Sequence, residues 1–130
     1  MDKLENKMQY EYAIIQLVPK VERAEFFNIG VILYCKSANY LKAEYFIDPN
    51  KFDLFACAVE LEIIEHYLQT WVAICNGDPK GGAISELPTA SRFRWLTATR
   101  STLIQSSKVH PGFTTNPDGT LKKIFSEMVG

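Results

Sequence analysis

Along the first third of the chain, apolar and polar positions alternate with a period of two; further on, the period becomes helical. From Tyr10 to Val18, Tyr10, Tyr12, Ile14 and Gln16 line one face of an extended segment, and Ala13, Ile15 and Leu17 line the other. This predicts a strand with both faces largely buried, whose pairing stops at Pro19, a residue with no ladder donor. Lys20–Glu25 reads as a charged connection. Phe26–Cys35 predicts a second strand, with Phe27, Ile29, Val31, Leu33 and Cys35 to one side and Asn28, Gly30, Ile32 and Tyr34 to the other. Two apolar faces suggest a central position. Gly30 within it marks a bulge or the close approach of another group. After the turn-like Lys36–Asn39, Tyr40–Ile47 alternates more cleanly. Leu41, Ala43, Tyr45 and Ile47 face in, Lys42, Glu44 and Asp48 face out, and the short connection implies a hairpin.

Asp48-Pro49 is a helix start, with Asp as N-cap and Pro at the first helical position, and Asp53 is a competing cap. Apolar residues then recur at Phe52, Phe55, Ala56, Val59, Ile63, Tyr67, Trp71 and Ile74, with Leu61, Ile64, Leu68, Val72 and Cys75 widening the stripe. A helix of roughly 20 residues would be about 30 Å long, enough to cross a sheet. Asn76-Gly77-Asp78-Pro79 ends it. Lys80–Ser91 reads as a loop, Arg92–Ala98 as either a short helix or a strand, Ser101–Ser106 as a fourth strand, and Val109–Asn116, which holds Pro111-Gly112, as another loop. Leu121, Ile124, Phe125 and Met128 have the spacing of a closing amphipathic helix. Strands precede helices rather than alternating with them. The expected fold is therefore α+β: an antiparallel sheet of three to five strands with a long helix packed on one face and a C-terminal amphipathic helix. Residues 1–8 read as a leader and 9–130 as a single domain.

Composition narrows the function classes. The chain has 130 residues, 47% hydrophobic and 22% charged, which is enough for one self-sufficient core. Its formal net charge of −1, from 14 basic and 15 acidic side chains, gives no overall field that attracts nucleic acid. Cys35, Cys57 and Cys75 are odd in number and widely spaced, which reads as buried free thiols in a reducing compartment rather than a disulfide framework or zinc site. The charged N-terminus lacks the apolar core of a signal peptide, and no run is long enough to span a bilayer. A cytoplasmic location, no membrane association and no cofactor are expected.

Three constellations could carry chemistry. Arg23, Arg92, Arg94 and Arg100, with Lys108 nearby, could present guanidinium forks to phosphate or carboxylate. Read structurally, Arg23 or Arg100 pairs with Glu25 inside the protein and Arg92 and Arg94 are solvated. Because polar groups near apolar runs need partners, the segments 23–30 and 92–105 are expected to meet. That gives Arg23, Glu25, Asn28, Arg92, Arg94, Arg100 and Ser101 as the candidate binding residues. His110 lies in a Pro-Gly loop and could serve as a catalytic base with Glu25 or Ser101, although no catalytic spacing surrounds it. Glu62, Glu65 and His66 share neighbouring turns but lack a metal-binding spacing and read as a solvated helix face. No phosphate-cradling glycine pattern is present.

The stretch YAIIQLVPKVERAEFFNIGVILYC, with FRWLTATRSTLIQSSKVHPG far downstream, resembles the bacterial domain of unknown function 3037 family. The matching positions are Tyr12, Ala13, Pro19, Arg23, Glu25, Asn28, Gly30 and Val31, then Trp95, Leu96, Ala98, Arg100 and Ser101. The resemblance implies no established activity and no catalytic residues. It does imply a partner protein resembling a kinase. The expected function is a bacterial cytoplasmic interaction or accessory module. The alternatives are an anion or nucleic-acid binder using the arginines and an enzyme using His110.

Overall fold

The computed structural model describes residues 7–20, 25–48, 61–98 and 103–129. Its elements are β1 (Met8–Lys20), β2 (Glu25–Cys35), β3 (Tyr40–Tyr45), α1 (Leu61–Asn76), two 3₁₀ turns (Pro79–Gly81 and Ala83–Glu86), α2 (Thr89–Thr97), β4 (Ile104–Ser106), β5 (His110–Thr114) and α3 (Pro117–Met128). The strands form one five-stranded antiparallel sheet in the order β3-β2-β1-β4, with β5 also pairing β1. One edge of β1 meets β2. The other meets β5 along Met8–Tyr12 and β4 along Ile15–Leu17. Between those stretches Ser107 closes the gap, its Oγ accepting from Ile14 N at 2.8 Å and its N–H donating to Ile14 O at 2.9 Å.

The alternation expected along β1 is present. Ala13, Ile15 and Leu17 join a large core with Ile64, Leu68, Trp71, Ile74 and Cys75 of α1 and Phe93 and Leu96 of α2. Ile14, flanked by Tyr10 and Tyr12, joins a smaller core with Leu121 and Ile124 of α3. The sheet is thus covered by α1 and α2 on one face and by α3 on the other. Among the described residues, no helix is long and apolar enough to cross a membrane.

Four expectations change. First, the faces of β2 do not run in a single phase. Ile15 opposes Gly30 and Gln16 opposes Asn28, so Ile29 is an extra residue in a bulge. Phe27 and Ile29 therefore pack with Ile32 and Tyr34 against the helix pair, while Val31, Leu33 and Cys35 pack under α3. Second, pairing does not stop at Pro19: after a register irregularity, Lys20 opposes Glu25. Third, the buried stripe of α1 centres on Ile64, Leu68, Trp71, Ile74 and Cys75, leaving Ile63 and Tyr67 exposed. Fourth, Val109–Asn116 is not all loop, because His110–Thr114 is β5. Proline is tolerated there because β5 is an edge strand. Residues 92–97 fall within helix α2, and Ala98 is its extended C-cap. The expected helix start at Asp48-Pro49, the competing cap Asp53, the positions Phe52 to Val59 and Cys57 lie outside the described residues, as does most of the expected leader. Met8 is already paired, with Thr114.

Local chemistry fixes α3. Asn116 is its N-cap, accepting from Gly119 N at 3.1 Å, with Pro117 in the first turn. Asp118 accepts from Tyr40 Oη at 3.0 Å and lies 3.4 Å from Lys42 Nζ, which ties the start of α3 to β3. The hydrogen bond from Tyr40, then that from Lys42, holds the Asp118 carboxyl below its ordinary value of 3.8. A depressed carboxylate stabilises above its unfolded pKa and loses that contribution as pH falls through the folded one. The tie should therefore hold from neutral pH down to about pH 4 and weaken below it. Tyr40 ring resonances followed through an acid titration check this, and Asp118→Asn should remove the step.

Gly30 explains why β2 and β3 approach so closely. A Cβ there would lie 2.5 Å from Glu44 O, 3.0 Å from Tyr45 Cβ and 3.1 Å from Ile15 Cδ1. The first two neighbours are backbone or backbone-fixed and cannot swing away. Gly30→Ala should destabilise by roughly 1–3 kcal/mol, read as a lower urea midpoint with an unchanged slope.

Candidate site: a tyrosine and amide strip beside the C-terminal helix

Among the described residues, the α3 face of the sheet is covered unevenly. Helix α3 lies over β2 and β3, and its buried Leu121 and Ile124 meet Val31, Leu33 and Cys35. Beside it, β1 continues the same face with Tyr10, Tyr12, Ile14 and Gln16. Tyr10, Tyr12 and Gln16 are only half-buried. The cross-strand partner of Tyr12 is His110, which is exposed, and the two rings lie 5.3 Å apart with planes 34° apart. Tyr10 meets Tyr12 edge-on at 6.1 Å. Tyr10 is laid down over Gly112, its partner on β5: a Cβ at Gly112 would come within 2.4 Å of the ring. Such a cross-strand aromatic–glycine pair supports the sheet and turns one ring face outward. The Tyr10 phenol is pushed above its ordinary value by burial and then by Tyr12, so at neutral pH it is a hydrogen-bond donor.

At its far end the strip becomes a row of amides. Asn28, Gln16 and Gln105 oppose one another across β2, β1 and β4. Asn28 Nδ2 donates to Met128 O at the end of α3, 3.1 Å away, while its Oδ1 is buried without a partner. A buried acceptor left unpaired is uncommon and costs stability. Phe26, Phe46 and Met128 are all large and exposed; the Phe46 N–H bonds Ile29 O at the bulge and Met128 O accepts from Asn28.

The candidate residues drawn from the sequence divide. Asn28 is in the strip, moved to the α3 face by the bulge. Arg92, expected to be solvated or ligand-binding, is instead half-buried and fully engaged. Its Nη1 donates to Ile74 O and Cys75 O, both at 2.8 Å, its Nε to Leu87 O at 2.9 Å and its Nη2 to Thr89 Oγ1 at 3.0 Å. A guanidinium here satisfies the orphan carbonyls in the last turn of α1 and complements the helix dipole. Arg94 Nη2 donates to both carboxylate oxygens of Glu11, at 2.8 and 3.1 Å, on the α1 face, and its guanidinium lies over Phe93. Arg92 and Arg94 are thus not brought together.

Arg23, Arg100 and Ser101 lie outside the described residues, as does the side chain of Glu25. The backbone flanking the two stretches lies on opposite edges of β1, so among the described residues that strand stands between them. Lys20 opposes Glu25, and Val18 N donates to Leu103 O at 2.8 Å. His110 is remote from Glu25: their partners on β1, Tyr12 and Lys20, stand eight residues apart, about 26 Å along a strand.

Among the described residues, no group of three or more His, Cys, Asp or Glu could hold a metal ion. Glu65 accepts from Tyr45 Oη at 3.0 Å. Cys35 and Cys75 are buried and free, and burial pushes the Cys75 thiol up to about 12, leaving it unreactive. The sequence reading passed over Tyr10, Tyr12, Gln16 and Gln105 as a site. The available signal was their chemistry: opposite them Ala13, Ile15 and Leu17 are aliphatic, whereas their own face carries hydroxyl and amide tips.

A family model described as "Protein of unknown function (DUF3037)" matches residues 12–129. No curated protein and no solved structure matches the chain.

If Arg92 caps α1 rather than serving a ligand, Arg92→Ala should cost about 2–4 kcal/mol of unfolding free energy. Arg92→Lys should recover only part of that, since an ammonium does not reproduce the fork. Denaturant melts of both variants decide this, and a wild-type midpoint for Arg92→Ala would remove the capping role.

Proposed function

This chain belongs to the DUF3037 family, and from that premise we propose that it is a non-enzymatic protein-interaction module that receives its partner on the tyrosine and amide strip of β1, β4 and β5. The observation carrying this reading is the uneven cover of the α3 face. Tyr10, Tyr12 and Gln16 are half-buried beside α3, with His110 exposed next to them. Tyrosine is favoured at contacts that alternate between wet and covered states, because an apolar ring and a polar tip serve both. The exposed Phe26, Phe46 and Met128 extend the surface at the Asn28 end.

The rival readings draw less support. An anion site built on Arg92 and Arg94 would have to break the bonds these residues already make with Ile74, Cys75 and Glu11. An acid–base pair of His110 with Glu25 would have to span much of β1. In this reading the partner is cytoplasmic, and the kinase-like protein implied by the family resemblance is the first candidate.

The test is site-specific photo-cross-linking in cells from positions 12 and 110, with the exposed Gln69 on α1 as control. One polypeptide should be captured from 12 and 110 and not from 69. Once purified, it should bind the wild-type chain and lose about tenfold in affinity on Tyr12→Ala. Equal products from all three positions, or binding indifferent to Tyr12, would end the proposal.

A further inference from the structure

We propose that the segment this strip receives is uncharged, proline-containing and held in the extended polyproline II conformation; this rests on the interaction reading above. The first ground is the set of rings. Tyr10, Tyr12 and His110 form a contiguous aromatic row, with centroids 6.1 and 5.3 Å apart and planes alternating between edge-on and tilted. Tyr10 is held flat by Gly112 beneath it. Aromatic-lined surfaces are what prolyl rings pack against, and a polyproline II segment is ordered before it binds, so it loses little freedom on binding.

The second ground is the polar complement. A proline-rich backbone offers carbonyls and few N–H groups. The strip supplies donors for those carbonyls, the phenols of Tyr10 and Tyr12 and the amide of Gln16, on one face of one strand.

The third ground is charge. A nucleic-acid strand stacking its bases on the same rings would need its phosphates neutralised. Of the described cations, Arg92 is spent on the carbonyls of α1, Arg94 on Glu11, which lies on the opposite face of the sheet, and Lys42 and Lys122 on Asp118, so near His110 in the chain the exposed Lys108 is the cation left to meet a phosphate. The rings of this row therefore have no guanidinium from Arg92 or Arg94 beside them.

Decaproline is the probe, titrated into the full chain and followed by NMR. A glycine-serine decapeptide and a ten-nucleotide oligothymidylate serve as comparisons. Decaproline should shift the resonances of Tyr10, Tyr12 and His110 and leave those of α1 in place. Tyr12→Ala should weaken it about tenfold, His110→Ala should weaken it measurably, and Tyr12→Phe should retain most of the affinity. An unchanged melting temperature for Tyr12→Phe keeps the comparison sound if Tyr12→Ala folds poorly. Three outcomes overturn the inference: no decaproline binding to the folded chain, binding indifferent to Tyr12 and His110, or the glycine-serine peptide binding equally well. Salt-sensitive binding of oligothymidylate in place of decaproline would assign the strip to single-stranded nucleic acid. If decaproline fails while cross-linking from position 12 still yields its partner, only the conformation and composition of the segment are lost and the interaction reading stands.

Discussion

The width of a helix against the spacing of strands governs this molecule. A helix with its side chains is about 10 Å across, and neighbouring strands lie about 4.8 Å apart, so one helix covers roughly two strands. On one face α1 and α2 together bury β1, β2 and β3 beneath one continuous apolar core. On the other, among the described residues, α3 alone lies over β2 and β3. What remains is the outer part of β1 with β4 and β5 beside it. That is where the face turns from Val31, Leu33 and Cys35 to Tyr10, Tyr12, Gln16 and His110. The change in side-chain type follows the limit of the helix, and the candidate site is its consequence.

Much of this was legible from period alone. The two faces of β1, the β2–β3 hairpin, the long helix ending at Asn76 and the closing helix at Leu121 and Ile124 all follow from spacing. The failures have separate physical causes. An inserted residue shifts a two-residue period by half a cycle, so the bulge at Ile29 sent Phe27 and Asn28 to faces opposite those expected. Gly30 announced the irregularity but not which residue would be extra. On α1, Ile63 and Ile64 are adjacent and both apolar, and periodicity cannot choose between two stripes one residue apart. The structure chose Ile64, leaving Ile63 and Tyr67 to solvent. β5 was hidden by Pro111-Gly112, a turn signal in most settings. Here proline is accepted at an edge, and glycine makes room for Tyr10.

The candidate site was less legible than the fold because arginine was weighed by its chemistry and not by the carbonyls waiting for it. Arg92 follows a helix end by a distance no sequence rule records, and its four donor contacts bind α1, the second 3₁₀ turn and α2 into one corner. It is a structural residue that looks like a ligand residue. Tyr12 and Gln16 erred in the other direction, since their positions on a regular strand read as core. Only the presence of α3 on one side of them, and of no helix on the other among the described residues, separates half-covered from buried.

That separation also explains why the strip is built from tyrosine and amide rather than from leucine. An aliphatic patch of the same extent would be poorly tolerated in the free protein and would invite self-association along the edges of β4 and β5. Tyr10 and Tyr12 can keep their hydroxyls wet while their rings support one another, and Gln16 can pair with water or with a partner. Such side chains tolerate both wet and covered surroundings, so the strip is stable where no helix lies over it among the described residues. The buried Oδ1 of Asn28 is the exception, an acceptor unpaired where α3 ends. Its cost is set against the bond its Nδ2 makes to Met128 O, so one amide both anchors the end of α3 to β2 and leaves an acceptor unmet there.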